Sequence, residues 1–380
     1  MITYLRSPFS RLLAEAVINI LNNTVSLRFA SGSLRSTGSC LSTTFPTVNI
    51  LMLRFIFRIL IGVSLLGLNN VTEGYAALFP SALSIDYSER NPLSIVVKKF
   101  NLLEKEFYED HVQIKWVYTP GSDYALKYLK ADSLDVASVA GLSSVLFRAN
   151  NGSIKSVYVF TRAEWSSIMV ERDSPIKSAD ELKGRKIAVE VGTDPYFFLI
   201  RALSEAGLHK SDVRIVSLQH AQGRMSMEMK CVDAWAARTP LSEMSQLEQG
   251  SRVIYRNPFF NTCGLLDVKA DFAHKYPDVV KRIVRTYEKA RIWALRHPDD
   301  FEAIYADEAM LPLHIARLAL SRHDFSSPLF NWNDIRFLME AVPVLKDENL
   351  VSQDTAVVKV INDMVDLSFV RKELRNCPCY

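Results

Sequence analysis

From residue 82 onward, apolar runs of strand length alternate with stretches whose apolar residues fall at helical spacing. Strands are predicted at 82–87, 112–118, 135–139 and 154–161, with helical patterns at 93–108 and 123–130 and another after 140–144. The alternation resumes with strands at 168–171, 186–191, 212–218, 232–236 and 252–256 and a Met-rich helix at 223–230. Such alternation builds βαβ units and a mainly parallel sheet. From residue 269 the pattern is helical: 277–296, 299–307, 312–321, 333–345 and 352–367. Two α/β sets without a flexible linker predict two lobes facing each other across a cleft.

One unit of the second set reads most completely. Ser178 and Glu181 fit a capping box on a short helix that Gly184 ends. The run 186–191 follows, Gly192-Thr193 makes the turn, and Asp194 is placed as N-cap with Pro195 at the first helical position. The helix stops at Gly207. A strand thus feeds a helix N-terminus through a glycine. Ligands bind at that edge of open α/β sheets, and free N–H groups there favour an anion. Taken alone, the segment reads more simply as an ordinary βα turn with a good cap.

The N-terminal eighty residues follow another pattern. Arg54 and Arg58 form a basic region, residues 59–68 an apolar core of ten, and Gly74 and Ala76 the small residues of a cleavage site. This is the layout of a secretory signal peptide over 52–76, too short to span a bilayer, which needs ~20 residues. Residues 1–51 read as upstream sequence or a disordered leader.

Composition narrows the choices. A net charge of +3 over 380 residues lacks the concentrated basic patch of a nucleic-acid binder. The five cysteines, at 40, 231, 263, 377 and 379, show neither zinc-ligand spacing nor a disulfide framework. Cys231 and Cys263 read as buried small hydrophobes or as a pair in an oxidising compartment. No nucleophile elbow, metal-ligand cluster or Walker loop is present in the sequence. An enzyme, a cofactor and a metal are therefore not expected.

Five segments in order carry a family resemblance. They are Asn91-Pro92-Leu93 with Leu103-Glu104-Lys105-Glu106-Phe107; Lys115-Trp116-Val117 with Gly121-Ser122 and Ser133-Leu134-Asp135-Val136; Gly192-Thr193-Asp194-Pro195; Val232-Asp233-Ala234-Trp235-Ala236 with Pro240; and His274-Lys275-Tyr276-Pro277-Asp278 with Tyr287-Glu288-Lys289-Ala290-Arg291. Together they resemble the periplasmic substrate-binding proteins of ABC importers for aliphatic sulfonates, taurine and nitrate, over residues 85 to about 370. The resemblance implies an α/β, type II two-lobe periplasmic binding fold with two mainly parallel sheets, a two-crossing hinge and a helical C-terminal region. Lobe one would take 82–163 and, with the C-terminal helices, 259–370; lobe two would take 164–258. It further implies a periplasmic monomer that captures a small anionic or zwitterionic ligand for a permease, an aliphatic sulfonate or taurine first; the alternative is a binding protein or enzyme for a pyrimidine or thiamine-precursor type of ligand.

Ligand contacts in such proteins come from the loops after the strands. Carried over, these are Arg90, Asn91, Ala140, Gly141, Leu142, Ser143, Gly192, Thr193, Asp194 and Trp235. Backbone N–H groups of residues 141–143 and 193–194 would meet the charged end of the ligand. Arg90 also reads as a solvated turn residue, Ser143 as a helix cap, and Trp235 as core. Asp194 would either cap Phe197 or face the cleft, where it could accept an amine. His220 is a minor candidate. The sequence departs from the family at Arg238-Thr239-Pro240, where an acidic residue often precedes the proline.

Overall fold

The computed structural model describes residues 79–375; the leader and signal-peptide segments lie outside the described residues. Eleven strands are named here: β1 (Ala82–Tyr87), β2 (Gln113–Tyr118), β3 (Val136–Ala140), β4 (Ile154–Ala163), β5 (Ser166–Val170), β6 (Lys186–Val189), β7 (Arg214–Ser217), β8 (Ala234–Arg238), β9 (Arg252–Tyr255), β10 (Gly264–Lys269) and β11 (His323–Asp324). They form a six-stranded sheet ordered β11-β4-β10-β3-β1-β2 and a five-stranded sheet ordered β7-β6-β8-β5-β9. All five residues of β3 and of β5 are buried, as strands covered on both faces require.

The chain leaves the first sheet after Ala163, enters the second at Ser166, and returns between Tyr255 and Gly264. Each crossing delivers a strand at the edge where its neighbours end, so β5 and β10 run antiparallel to the strands they pair with. The two crossings are tied side by side. Trp165 Nε1 donates to the Thr262 carbonyl at 2.6 Å, the Ser166 amide donates to Asn261 Oδ1 at 2.9 Å, and Arg256 pairs with Glu164.

Local chemistry explains most elements. Asn91 caps the helix Pro92–Lys99, its Oδ1 accepting from the Ser94 amide at 3.2 Å. Gly192 takes φ +84°, a left-handed turn between β6 and the helix Asp194–Glu205. That helix ends in a Schellman motif: Leu208 donates to Leu203 at 2.8 Å and Gly207 to Ser204 at 3.1 Å, with Gly207 at φ +73°.

Several expectations are corrected. The helical pattern over 93–108 is two helices, Pro92–Lys99 and Leu102–Glu106, broken where Asn101 adopts φ +50°. The stretch 352–367 divides likewise: the helix Val357–Met364 ends within it, and Ser368–Arg375 follows. Ser178 makes no capping bond, and Glu181 accepts instead from the Lys177 amide at 2.7 Å. Strand β10, pairing with both β3 and β4, was not expected at all. Cys263 is buried and Cys231 exposed, and both are free thiols. Among the described residues no helix is long and apolar enough to cross a membrane.

Candidate ligand-binding site

A cavity of about 500 Å³ lies where the forward-running strands of both sheets end. The turn after β1 brings Arg90; the loop after β2 brings Gly121 and Ser122; the helix after β3 brings Ser143. From the second sheet come Glu190, Gly192, Thr193 and Asp194 after β6, His220 after β7 and Arg238 at the end of β8. Trp165, on the first crossing, also lines it and is 5% exposed. This is the carboxyl-edge location that α/β sheets offer to ligands.

Two guanidinium groups dominate the cavity chemically. Arg90 is buried, and its Nη1 donates to Ser122 Oγ at 3.1 Å while its Nε has no partner. Ser122 Oγ also accepts from the Ala140 amide at 3.1 Å, so its own hydroxyl proton remains to be donated. Arg238 has Nε and Nη1 buried without a partner, and its Nη2 lies 4.0 Å from Glu89 Oε1. Desolvation, then the charge of Arg90, pushes Arg238 down to about 10, which leaves it protonated at neutral pH. His220 is pushed down to about 2 by burial and then by the two arginines, and is therefore neutral. Its Nε2 sits 3.3 Å from Glu190 Oε2 and its Nδ1 has no partner. Buried donors without acceptors are costly, and an anion would relieve them.

Carboxylates balance the site. Burial raises Asp194 to about 6, opposed by the Thr262 hydroxyl, which donates to its Oδ1 at 3.1 Å. Burial also raises Glu190, which accepts from Gln219 Nε2 at 2.9 Å. Asp194 does not cap Phe197. Thr193 is the N-cap: its carbonyl accepts from Tyr196 at 3.0 Å and Phe197 at 3.2 Å, and its hydroxyl donates back to the Glu190 backbone carbonyl at 2.6 Å. Asp194, one position inside the helix, is thereby free to reach across to Thr262.

Of the residues expected at a ligand, Arg90, Ala140, Ser143, Gly192, Thr193 and Asp194 line the cavity. Four lie off its wall. Asn91 serves its helix cap and donates from Nδ2 to Ser138 Oγ at 2.8 Å. The Gly141 amide, expected to face an anion, donates to the Cys263 carbonyl at 2.8 Å, which pins this helix to the return crossing. Leu142 is buried, its amide 3.4 Å from Thr262 Oγ1. Trp235 is fully buried against Met169 and Met227, on the opposite face of β8 from Ala236. Sequence reasoning passed over Arg238 as a family departure, and did not single out Ser122 or Glu190. The signal for Arg238 was a lone charge after the apolar run Ala234-Trp235-Ala236-Ala237, at a strand end.

A family model described as NMT1/THI5 like matches residues 103–301. The chain belongs to this family. Two relatives carry the name "Putative aliphatic sulfonates-binding protein". That of Escherichia coli (strain K12) is 29% identical over 259 residues, 67% of this chain and 81% of the relative. That of Bacillus subtilis (strain 168) is 25% identical over 313 residues, 81% of this chain and 92% of the relative. Among solved structures, the periplasmic aliphatic sulphonate binding protein SsuA from Escherichia coli aligns with a TM-score of 0.67 at 24% identity, covering 73% of this chain and 91% of that one. The NMT1/THI5-like chain thus has the two-lobe periplasmic binding fold.

Proposed function

We propose that this protein is a periplasmic solute-binding protein that captures an aliphatic sulfonate between its lobes for the permease of an ABC importer. The observation that carries the reading is the pair of buried guanidinium groups, Arg90 and Arg238, which line one cavity and together hold three nitrogens without a partner. A sulfonate is a permanent monoanion with three acceptor oxygens, which suits planar guanidinium forks and the Ser122 hydroxyl. A dianion would suit the site less, because Asp194 and Glu190 share the wall. The names of the relatives point to the same ligand class. Export through the signal peptide at 52–76 and action as a monomer belong to this proposal.

The two carboxylates favour a second reading. A zwitterion such as taurine would place its sulfonate on the arginines and its ammonium on Asp194 or Glu190. A thermal-shift and calorimetry panel of ethanesulfonate, taurine, nitrate and an aminopyrimidine tests both readings. A ligand at 100 times its Kd should stabilise the protein by about 2.7 kcal/mol. A response to the aminopyrimidine with none to either sulfonate would overturn the proposal.

A further inference from the structure

The second lobe buries a carboxylate whose countercharge comes from the first. Glu243 stands on the helix Leu241–Met244, which follows β8 of the second sheet. Its side chain is fully buried, and Ser242 Oγ donates to its Oε2 at 2.8 Å. Its ion pair among the described residues is with Arg322, whose Nη1 lies 2.7 Å from Glu243 Oε1. Arg322 follows the helix Leu313–Leu320 and precedes β11, the edge strand of the first sheet. It is buried too. Its Nη2 donates to Gln246 Oε1 of the second lobe at 3.4 Å, and its Nε has no partner. The contact with Glu243 is a pairing of charge rather than an aligned hydrogen bond, since Oε1 accepts none.

The pair belongs to a seam that runs to the ligand cavity. The helices Leu313–Leu320 and Leu241–Met244 touch. Leu241, two residues before Glu243, lines the cavity, and Arg238 stands three residues before that. From the first lobe, Tyr305 donates to the Glu89 carbonyl at 3.0 Å. Burial, then the charges of Glu89 and Glu243, holds its hydroxyl well above the ordinary value, which sets it between the two carboxylates. The charges thus alternate: Glu89 of the first lobe approaches Arg238 of the second, and Glu243 of the second meets Arg322 of the first. Arg322 is also anchored at the hinge, where its carbonyl accepts from the Glu164 amide at 3.0 Å.

We propose that Arg322 and Glu243 are positioning residues, whose pairing holds the wall carrying Arg238 against the first lobe in the free as in the loaded protein. With the lobes apart, water would solvate both groups, so their pairing matters only where the lobes meet. Removing one partner leaves the other charge buried and alone in the closed arrangement. That is far costlier than replacing both by apolar side chains. The inference deepens the sulfonate reading, on which the binding half of its test rests.

That test compares the full chain with Glu243→Gln, Arg322→Met and the double variant Glu243→Leu/Arg322→Met, by calorimetry with ethanesulfonate and by X-ray scattering without ligand. Either single variant should weaken binding about 100-fold or more. Each should also enlarge the ligand-free radius of gyration, which a purely structural role would not do. The double variant should regain the native radius and bind within about tenfold of the unmodified chain. Single variants that bind within about threefold of it, or that lose affinity at an unchanged radius, would overturn the proposal. So would a double variant no better than the singles. A single variant that fails to fold would place the pair in the fixed core of the protein and overturn it too. If the unmodified chain binds no ethanesulfonate, the sulfonate reading falls, and the radii alone decide the role of the pair.

Discussion

The two arginines stand on opposite walls of one cavity and are built differently. Arg90, on the first lobe, is anchored: it donates to Ser122, which in turn accepts from Ala140 at the end of β3. Arg238, on the second lobe, holds two buried nitrogens without partners and reaches only Glu89, 4.0 Å away on the first lobe. One wall is therefore preorganised, and the other carries a charge whose burial is compensated only when something fills the gap. Under the proposed function, such an arrangement would couple binding to the meeting of the lobes, because Arg238 would gain its acceptors only with both walls and the ligand in place.

The sharpest way to break this comparison is to remove each arginine in turn. Arg238→Met and Arg90→Met should each cost roughly 100-fold or more in sulfonate affinity, as expected for truncating one side of a buried charge contact. Their effects on the free protein should diverge. Arg238→Met should leave it as stable or about 1–2 kcal/mol more stable, because an ill-paired buried charge is gone. Arg90→Met should cost about 1–2 kcal/mol, because an existing charged hydrogen bond is lost. Calorimetry and urea melts measure the two quantities; equal stability changes would remove the distinction between the walls.

The acidic groups sharpen it next. Asp194 sits at about 6 against an ordinary value of 3.8, so the folded protein binds more protons than the unfolded chain between those pH values. Stability of the ligand-free protein should therefore fall as pH rises from about 4 to about 6. Asp267 should extend the fall to about 7, where burial holds it despite hydrogen bonds from Ser144 and Ser156. Asp194→Asn should recover about 1–2 kcal/mol at pH 7.5 and nothing at pH 4. The same variant should bind ethanesulfonate several-fold more tightly. It should bind taurine more weakly only if the ammonium rests on Asp194, so the pair of titrations separates the two ligand readings.

A smaller effect belongs to Trp235. It sits over Gly223, where a Cβ would come within 2.8 Å of the indole, and its Nε1 has no partner. Trp235→Phe should cost about 1–2 kcal/mol of stability by leaving a void, while the sulfonate Kd stays within about twofold. A loss of affinity comparable to that of Arg238→Met would return Trp235 to the ligand wall.

What the chain discloses by itself follows from where its signals are local. The turn at Gly192 and the helix stop at Gly207 are backbone problems with few solutions, and both glycines adopt the positive φ their positions suggest. Strand β10 stayed hidden because Asp267 interrupts its apolar run. The structure buries that carboxyl by giving it two serine hydroxyls, one from a helix and one from β4. Arg238 was passed over for a related reason: Glu89, which its guanidinium approaches, stands on the turn after β1, far away in the chain. The alternation along β8 decides Trp235: neighbouring side chains face opposite sides of the sheet, and the indole faces the side away from Ala236. Residues whose roles depend on a second lobe leave little trace in their own segment.

The smallest predicted effect concerns the helix Trp332–Asp347, which follows β11 and packs on helices of both sets, Gly141–Ala149 and Asp194–Glu205. Two ion pairs fasten this region to the second lobe. Arg201 meets Glu340 at 2.5 Å, and Lys210 meets Glu348 at 2.6 Å. Glu340 and Lys210 are largely exposed, so each pair should contribute at most ~0.5–1 kcal/mol, less in salt. Their position gives them a different weight in the comparison of walls. They tie the lobe carrying Arg238 to a helix that also rests on the other lobe, and they lie away from the cavity. The double variant Glu340→Gln/Glu348→Gln should therefore change the free protein's stability by less than about 1 kcal/mol. It should weaken sulfonate binding by no more than about threefold, and X-ray scattering without ligand should show a larger radius of gyration. A loss of affinity approaching that of Arg238→Met would mean that the C-terminal helix holds the ligand site together, and the division into one anchored and one waiting wall would have to include it.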